Sequence, residues 1–287
     1  MQRKQGETLH SMIDNILCEI IETEVQSEEV ALLASGGIDS LSLGFAAHRL
    51  GKKVSAYTFH LEDDYSYDAK KGEEAADKMG WEINTTVVPK TNLEQDFFNL
   101  LHKYKCKRKT SFECTFPFVY LYPKVKQKYI MSGIGADGFH GMSKKCILNF
   151  KEPKELFDEF RIEGFKKENY AGVDQQRMLC EEYNKVLVHP YYQHKEVEDY
   201  FMQYDWYELN KPEQKQHIRK SFKKELDKVG RIRLHSNLQL ESNIDHLFEE
   251  LIDNNKVNFK RRSRVMDICK DWSLLNTSTN TLESFMQ

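Results

Sequence analysis

Between residues 8 and 24 the apolar positions fall at Leu9, Met12, Ile13, Ile16, Leu17, Ile20 and Ile21. Steps of three and four put them on one face of a helix, so the segment reads as an amphipathic helix that packs on the elements C-terminal to it. From residue 30 the pattern changes to strand and helix in alternation. Val30–Ala34 is a short, continuous apolar run that stops at Ser35-Gly36-Gly37, and Ser40–Leu50 then reads as a helix ended by Gly51. Val54–Phe59 predicts a second strand, residues 67–79 a helix stopped by Gly80, and Ile83–Val88 a third strand closed by Pro89. Residues 92–104 look helical, and Tyr129–Met131 is a fourth strand running into another glycine-rich turn. Strands alternating with helices predict an α/β fold, a doubly wound parallel sheet with helices on both faces. In such sheets ligands bind at the carboxyl ends of the strands. Beyond about residue 150 strand signals thin out, and the pattern is charged and mostly helical, as in Pro212–Val229 and Ile244–Asn254. The chain therefore divides into an N-terminal amphipathic helix (1–28), an α/β core (29–150) and a mostly helical C-terminal portion (151–287) that would complete the site.

Composition narrows the classes. The 287 residues are 40% hydrophobic and 12% aromatic, enough for a sizeable core. Forty-two Lys and Arg stand against 45 Asp and Glu, which excludes binding of nucleic acid by overall charge alone. No segment approaches the ~20 apolar residues of a spanning helix, so no membrane partner is expected. The start, Met1–Glu7, is charged with no apolar stretch behind it, and the six cysteines (18, 106, 114, 146, 180 and 269) include no CxxC pair. The expectation is a cytoplasmic protein with reduced thiols.

The first chemical motif is Ala34-Ser35-Gly36-Gly37-Ile38-Asp39-Ser40, set between a buried strand and a helix. Its glycines let the backbone turn tightly and approach an anion, successive N–H groups form a nest, and the helix after it adds its positive end. Ser35 and Ser40 offer hydroxyls. Asp39 would repel a phosphate, but it suits a Mg²⁺ ion that bridges carboxylate and phosphate. Ser, Gly and Asp are also ordinary turn residues, but so many of them in a strand–turn–helix context favour the phosphate cradle. The Walker pattern GxxxxGK[ST] is absent.

The motif resembles the SGGxDS signature of the PP-loop ATP pyrophosphatases, which split ATP between its α and β phosphates and use the adenylate to activate a carboxylate or carbonyl oxygen. A second motif, Ser132-Gly133-Ile134-Gly135-Ala136-Asp137-Gly138-Phe139-His140-Gly141, resembles the SGEGADE element of the asparagine synthetases. The likeness implies an adenine nucleotide alpha hydrolase-like fold. It implies Mg²⁺ on Asp39 and Asp137, and ATP on Ala34, Ser35, Gly36, Gly37, Ser40, Ser132, Gly133 and Gly135. Ala34, Thr58 and Phe59, at the ends of the first two strands, are the adenine-side candidates. Weaker matches occur at Tyr67-Asp68, Ala75–Gly80 and Phe112–Phe118, the last where the family has a substrate-side glutamate. Val188–Tyr191 resembles the RVPF element, and Lys215-Gln-His-Ile-Arg219 the K-x-x-L-R element, whose lysine contacts phosphates and intermediate. Lys215 and Arg219, four residues apart, are expected on one helix face as the catalytic pair.

The departures fall on the acceptor side. Ile134 and Gly138 replace the two glutamates of SGEGADE, and Val186–Val188 replace the charged residues of the family's GLExR. Met1-Gln2 does not present the cysteine that opens the family's glutaminase domain. The expected enzyme is an ATP-dependent, AMP-forming ligase joining a small-molecule carboxylate or carbonyl compound to ammonia or an amine, with a separate amidase as a possible partner. Two alternatives stand beside it: an enzyme modifying a nucleobase or nucleic acid, and a non-catalytic nucleotide sensor. The first is suggested by two basic runs, Lys103, Lys105, Lys107, Arg108, Lys109 and Lys256, Lys260, Arg261, Arg262, Arg264, though either alone reads first as a solvated face. Cys106 and Cys114 read as buried thiols. His140 could face the substrate or brace the turn, and His189 could cap a loop.

Overall fold

The computed structural model describes residues 12–106, 109–165, 172–232 and 238–247. It opens with α1 (Ile13–Glu24), whose buried residues Ile13, Ile16, Leu17, Ile20 and Ile21 belong to the stripe read from the sequence; Met12, expected on the same face, precedes the helix and is exposed, and Leu9 lies outside the described residues. Then come β1 (Glu29–Leu33), α2 (Ile38–Arg49), β2 (Lys53–Leu61), α3 (Tyr67–Met79), β3 (Glu82–Val88), α4 (Leu93–His102) and α5 (Lys109–Leu121). Local chemistry sets the ends of α3. Ser66 Oγ accepts from the Ala69 N–H at 3.2 Å at its start, and Gly80 closes it at φ 74°.

β4 (Tyr129–Met131) returns the chain to the other side of β1, and β5 (Val186–Val188) extends the sheet beyond it. The five described strands are all parallel, in the order β3-β2-β1-β4-β5. The chain first winds outward from β1 to β3 and then reverses, so the switch of direction lies between β1 and β4, where such sheets bind ligands. Alternation along β1 divides the core. Val30 and Leu32 pack with α1 and α2, through Leu17, Leu41 and Phe45, whereas Ala31 and Leu33 face Phe97, Leu101, Phe112 and Phe116 of α4 and α5. Burying each such large side chain stabilises the fold by about 1.5–3 kcal/mol.

The C-terminal half supplies α6 (Ala136–Phe139), α7 (Lys144–Asn149), α8 (Lys154–Phe165), α9 (Val173–Glu182), α10 (Lys195–Phe201), α11 (Trp206–Asn210), α12 (Gln216–Ser221) and α13 (Lys223–Val229). Two expectations need correction here. The stretch read as poor in strands contributes β5, whose three residues are too few to register as a period and which exists because Tyr129–Met131 offers it an edge. Pro212–Val229 is not one helix. Lys215 turns into the left-handed region at φ 58°, and Phe222, fully buried beneath the Arg49 guanidinium, separates α12 from α13. Residues 244–247 are helical as expected, and the rest of Ile244–Asn254 lies outside the described residues. Among the described residues no helix is long and apolar enough to cross a membrane.

Two arginines tie these helices down. Arg49 donates to Asp14 of α1 at 2.6 Å, to Glu225 of α13 at 2.7 and 2.9 Å, and to the Ser221 carbonyl at 2.8 Å. Arg161, wholly buried, donates to the carbonyls of Phe139, Phe201 and Tyr204 at 3.2, 3.0 and 3.0 Å and pairs with Asp158. A guanidinium suits the carbonyls of Phe139, Phe201 and Ser221 because they end α6, α10 and α12, where backbone carbonyls are partially negative.

Candidate active site

The cradle comes directly after β1. Gly36 stands at φ 68°, and a Cβ there would come within 2.5 Å of Lys71 Cβ and 2.9 Å of the Asp68 carbonyl, so only glycine lets α3 close over the turn. Ser40 Oγ donates to the Gly37 carbonyl at 3.0 Å. Ser35 Oγ, 3.1 Å away, therefore donates to Ser40 and accepts from the Gly37 N–H at 3.3 Å. The hydroxyls expected to face an anion are thus spent on the shape of the loop. The donors suited to an anion are instead the first amides of α2, which by position have no partner inside the helix.

The loop after β4 lies against it. A Cβ on Gly133 would fall 2.9 Å from the Ser40 nitrogen and 3.0 Å from the Asp39 carbonyl carbon, so the two glycine motifs meet backbone to backbone. Asp39, in the first turn of α2, and Asp137, in α6, then face the same point. That point is taken by Lys215, whose Nζ donates to Asp39 Oδ2 at 2.5 Å and to Asp137 Oδ1 at 2.6 Å with 4% of the side chain exposed. Burial alone would pull this ammonium's pKa down, but the two carboxylates outweigh it and hold the pKa above the ordinary lysine value. Lys215 is therefore a cation in the folded protein.

The route by which Lys215 arrives was not read from the sequence. It is not on the face of a helix with Arg219. It is the left-handed residue that precedes α12, and its N–H donates to Asn210 Oδ1 at 3.1 Å. The Asn210 amide in turn donates to the His140 carbonyl at 2.8 Å and to the Trp206 carbonyl at 3.1 Å. Arg219 comes one turn later, its Nε donating to the Gln214 carbonyl at 2.8 Å. Asn210 and Arg161 hold the second motif in place, and sequence reasoning missed both because neither falls in a recognisable spacing. Tyr191, the last residue of the RVPF-like stretch, braces the first motif instead: its hydroxyl lies 2.8 Å from Ser42 Oγ, which donates to the Asp39 carbonyl at 2.8 Å.

These elements surround one cavity of about 710 Å³. Ala34, Ser35, Gly36, Gly37, Asp39, Ser40, Thr58, Phe59, Ser132, Gly133, Gly135, Asp137, Lys215 and Arg219 all line it, although they come from four separate stretches of chain. Thr58, Phe59 and Phe118 wall the β2 side, while Ile134, Gly138 and Met142 wall the β4 side. Of Phe112–Phe118, Cys114 and Phe118 reach the cavity, and Phe112 instead stacks on Phe97 at 4.6 Å in the core. Burial pushes the Cys106 and Cys114 thiols up to about 12, so neither is a thiolate. His140 does not line the cavity. It is fully buried, edge-on to Phe201 at 4.7 Å, and burial holds its pKa well below the usual imidazole value. His189 is likewise lowered by burial, to about 4.

Of the first basic run, Lys103 is paired with Glu182 at 2.6 Å, and Lys107 and Arg108 lie outside the described residues, as does the run Lys256–Arg264. Among the described residues no three His, Cys, Asp or Glu side chains gather as a metal cluster. A magnesium ion fits the residues present even so. It takes oxygen ligands from one or two carboxylates and completes its shell with phosphate oxygens and water, and Asp39 and Asp137 already converge on one cation beside the cradle.

A parallel, doubly wound sheet with a glycine-rich anion cradle and a carboxylate–ammonium–carboxylate cluster at its switch point defines the class as a nucleotide-binding α/β protein of the PP-loop type. The family model described as asparagine synthase matches residues 20–242, a span that includes every one of these elements. The chain belongs to the asparagine synthase family. No curated protein matches it. Among solved structures, that of the NMN synthetase from Francisella tularensis is similar at 15% identity and a TM-score of 0.34, over 78% of this chain and 95% of that one.

Proposed function

We propose that this protein is an ATP-dependent, AMP-forming ligase that adenylates a carboxylate or carbonyl oxygen and passes the activated group to ammonia or an amine. The observation that carries the reading is the meeting of Asp39, Asp137 and Lys215 at the mouth of the Ser35–Ser40 cradle. The cradle's backbone amides and the start of α2 bind the pyrophosphate portion of ATP. Thr58 and Phe59 border the adenine. Asp39 and Asp137 would hold Mg²⁺, which when bound would supply charge neutralisation to the phosphates.

The acceptor oxygen bonds to the α-phosphorus while the bridge to the β-phosphate breaks, and pyrophosphate leaves. The amine then attacks the activated carbon and AMP departs. Lys215 enters both steps as a fixed positive charge, first beside the leaving pyrophosphate and then beside the oxyanion on the activated carbon. Arg219 reinforces that charge from the next turn. The protein's part is positioning and electrostatics rather than covalent chemistry.

The test is a product assay. Protein and the Asp39→Ala variant are incubated with Mg²⁺-ATP, ammonium and a small-metabolite extract, and nucleotides are resolved by mass spectrometry. AMP and pyrophosphate that vanish in the variant support the reading, and the metabolite that gains an amide names the substrate. Product appearing only with added tRNA or DNA would move the function to nucleic-acid modification. ATP that binds and stays intact under every acceptor would make the protein a sensor.

A further inference from the structure

In the function proposed above, the adenine and the phosphates take the β1–β2 side of the cavity, which leaves the β4 side to the acceptor. That wall is built from Ile134 and Met142 on the loops around α6, and from Ile147 and Leu148 on α7. Ile147 is 41% exposed and Leu148 72% exposed, an unusual degree for aliphatic side chains bordering a cavity. The charges beside this apolar wall are positive. Lys145 is spent on Glu163, but its neighbour Lys144 lines the cavity; Arg219 lines it too, its Nε on the Gln214 carbonyl and 3.8 Å from the exposed Glu213, which leaves its terminal nitrogens to face an anion. Among the described residues the carboxylates that line the cavity are Asp39, Asp68 and Asp137. The first and last are bound to Lys215, and Asp68 belongs to the first turn of α3 beside Gly36, on the nucleotide side.

A carboxylate is the strongest partner for an α-ammonium group, and among the described residues this wall offers none. It offers cations for an anion and aliphatic surface for a hydrocarbon body. We propose that the acceptor is a monocarboxylic acid with an apolar, non-amino body, an alkanoate or arylalkanoate, which binds against Ile134, Met142, Ile147 and Leu148 with its carboxylate directed by Lys144 and Arg219. The inference rests on the adenylating reading above. In the step it implies, one carboxylate oxygen bonds to the α-phosphorus, the bridging oxygen leaves with its electron pair as pyrophosphate, and the product is an acyl adenylate.

Two measurements on the full-length protein test this. Octanoate and L-aspartate are titrated calorimetrically into protein loaded with Mg²⁺ and α,β-methylene-ATP, and each acid is assayed for exchange of labelled pyrophosphate into ATP. Octanoate is expected to bind about tenfold or more tighter than aspartate and to drive exchange, since each methylene matched by an apolar wall is worth about tenfold. Ile134→Glu and Leu148→Asp are each expected to weaken octanoate by about tenfold or more, while affinity for the ATP analogue, which reports folding, stays within about threefold. Aspartate binding the tighter, octanoate failing to bind, or octanoate affinity unmoved in both variants overturns the proposal. Exchange driven by aspartate alone overturns it while sparing the ligase reading. Octanoate that binds as expected with no exchange overturns the ligase reading and upholds the class of ligand.

Discussion

Lys215 occupies the point where two carboxylates would otherwise repel one another. Removing one partner of a buried ion cluster leaves the others uncompensated, and the cost exceeds the net worth of the cluster itself. Lys215→Met is therefore expected to lower stability by about 3–5 kcal/mol, and millimolar Mg²⁺ is expected to restore part of the loss by neutralising Asp39 and Asp137. Thermal unfolding of the variant with and without MgCl₂ checks this. A melting temperature that does not respond to Mg²⁺ in the variant would remove these two carboxylates as a metal site. The same substitution should abolish AMP formation, because it removes the ammonium buried between the two carboxylates.

At the scale of elements, the site depends on short helices that could not stand alone. α6 has four residues and α12 six, far below the length at which an isolated helix persists in water. Polar side chains from neighbours hold them. Arg161 gathers the carbonyls of Phe139, Phe201 and Tyr204, and Asn210 joins the His140 carbonyl to the Lys215 N–H. Asn210→Leu leaves both of those backbone groups without their partner in a buried setting and is expected to cost about 1–3 kcal/mol. The left-handed turn at Lys215 then loses its anchor. AMP formation is expected to fall by about tenfold or more, the scale at which a small misplacement of a catalytic group acts, while α,β-methylene-ATP still binds. A denaturant titration and a nucleotide-binding isotherm on the one variant separate the two effects.

For the whole molecule, histidines whose pKa values burial lowers are expected to weaken stability in acid. His189 is held at about 4 by burial, below its ordinary value near 6.5, and His140 is lowered in the same sense. A histidine whose folded pKa is depressed takes up its proton first in the unfolded chain. Its contribution is therefore full above the unfolded pKa and is lost as pH falls from about 6.5 toward 4. Stability at pH 5 is expected to lie below that at pH 7.5, with His189 accounting for on the order of 1–2 kcal/mol of the difference. His189→Gln should flatten that part of the profile, as read by unfolding midpoints across the range. A slope unchanged in the variant would assign the acid sensitivity elsewhere.

Much of this protein was legible in its sequence because the signals were local. Val30–Ala34 running into Ser-Gly-Gly is a strand that must end in a tight turn, and the glycine after Met79 must stop a helix, wherever they sit in space. The two glycine motifs, each coming after a strand, placed Asp39 and Asp137 at strand ends before any contact was known. Tertiary structure decided what depended on company. β5 is a strand because β4 offers it an edge, and its three residues carry too little periodicity to announce it. Lys215 is a left-handed residue and not part of a helix face because Asn210 anchors its N–H and two distant carboxylates capture its ammonium. Ile134 and Gly138 could be read as departures, but only the cavity they line together with Met142, Ile147 and Leu148 turned those departures into an apolar wall. A chain encodes its turns and periods residue by residue, whereas the sign and polarity of a cavity belong to side chains that the fold alone brings together.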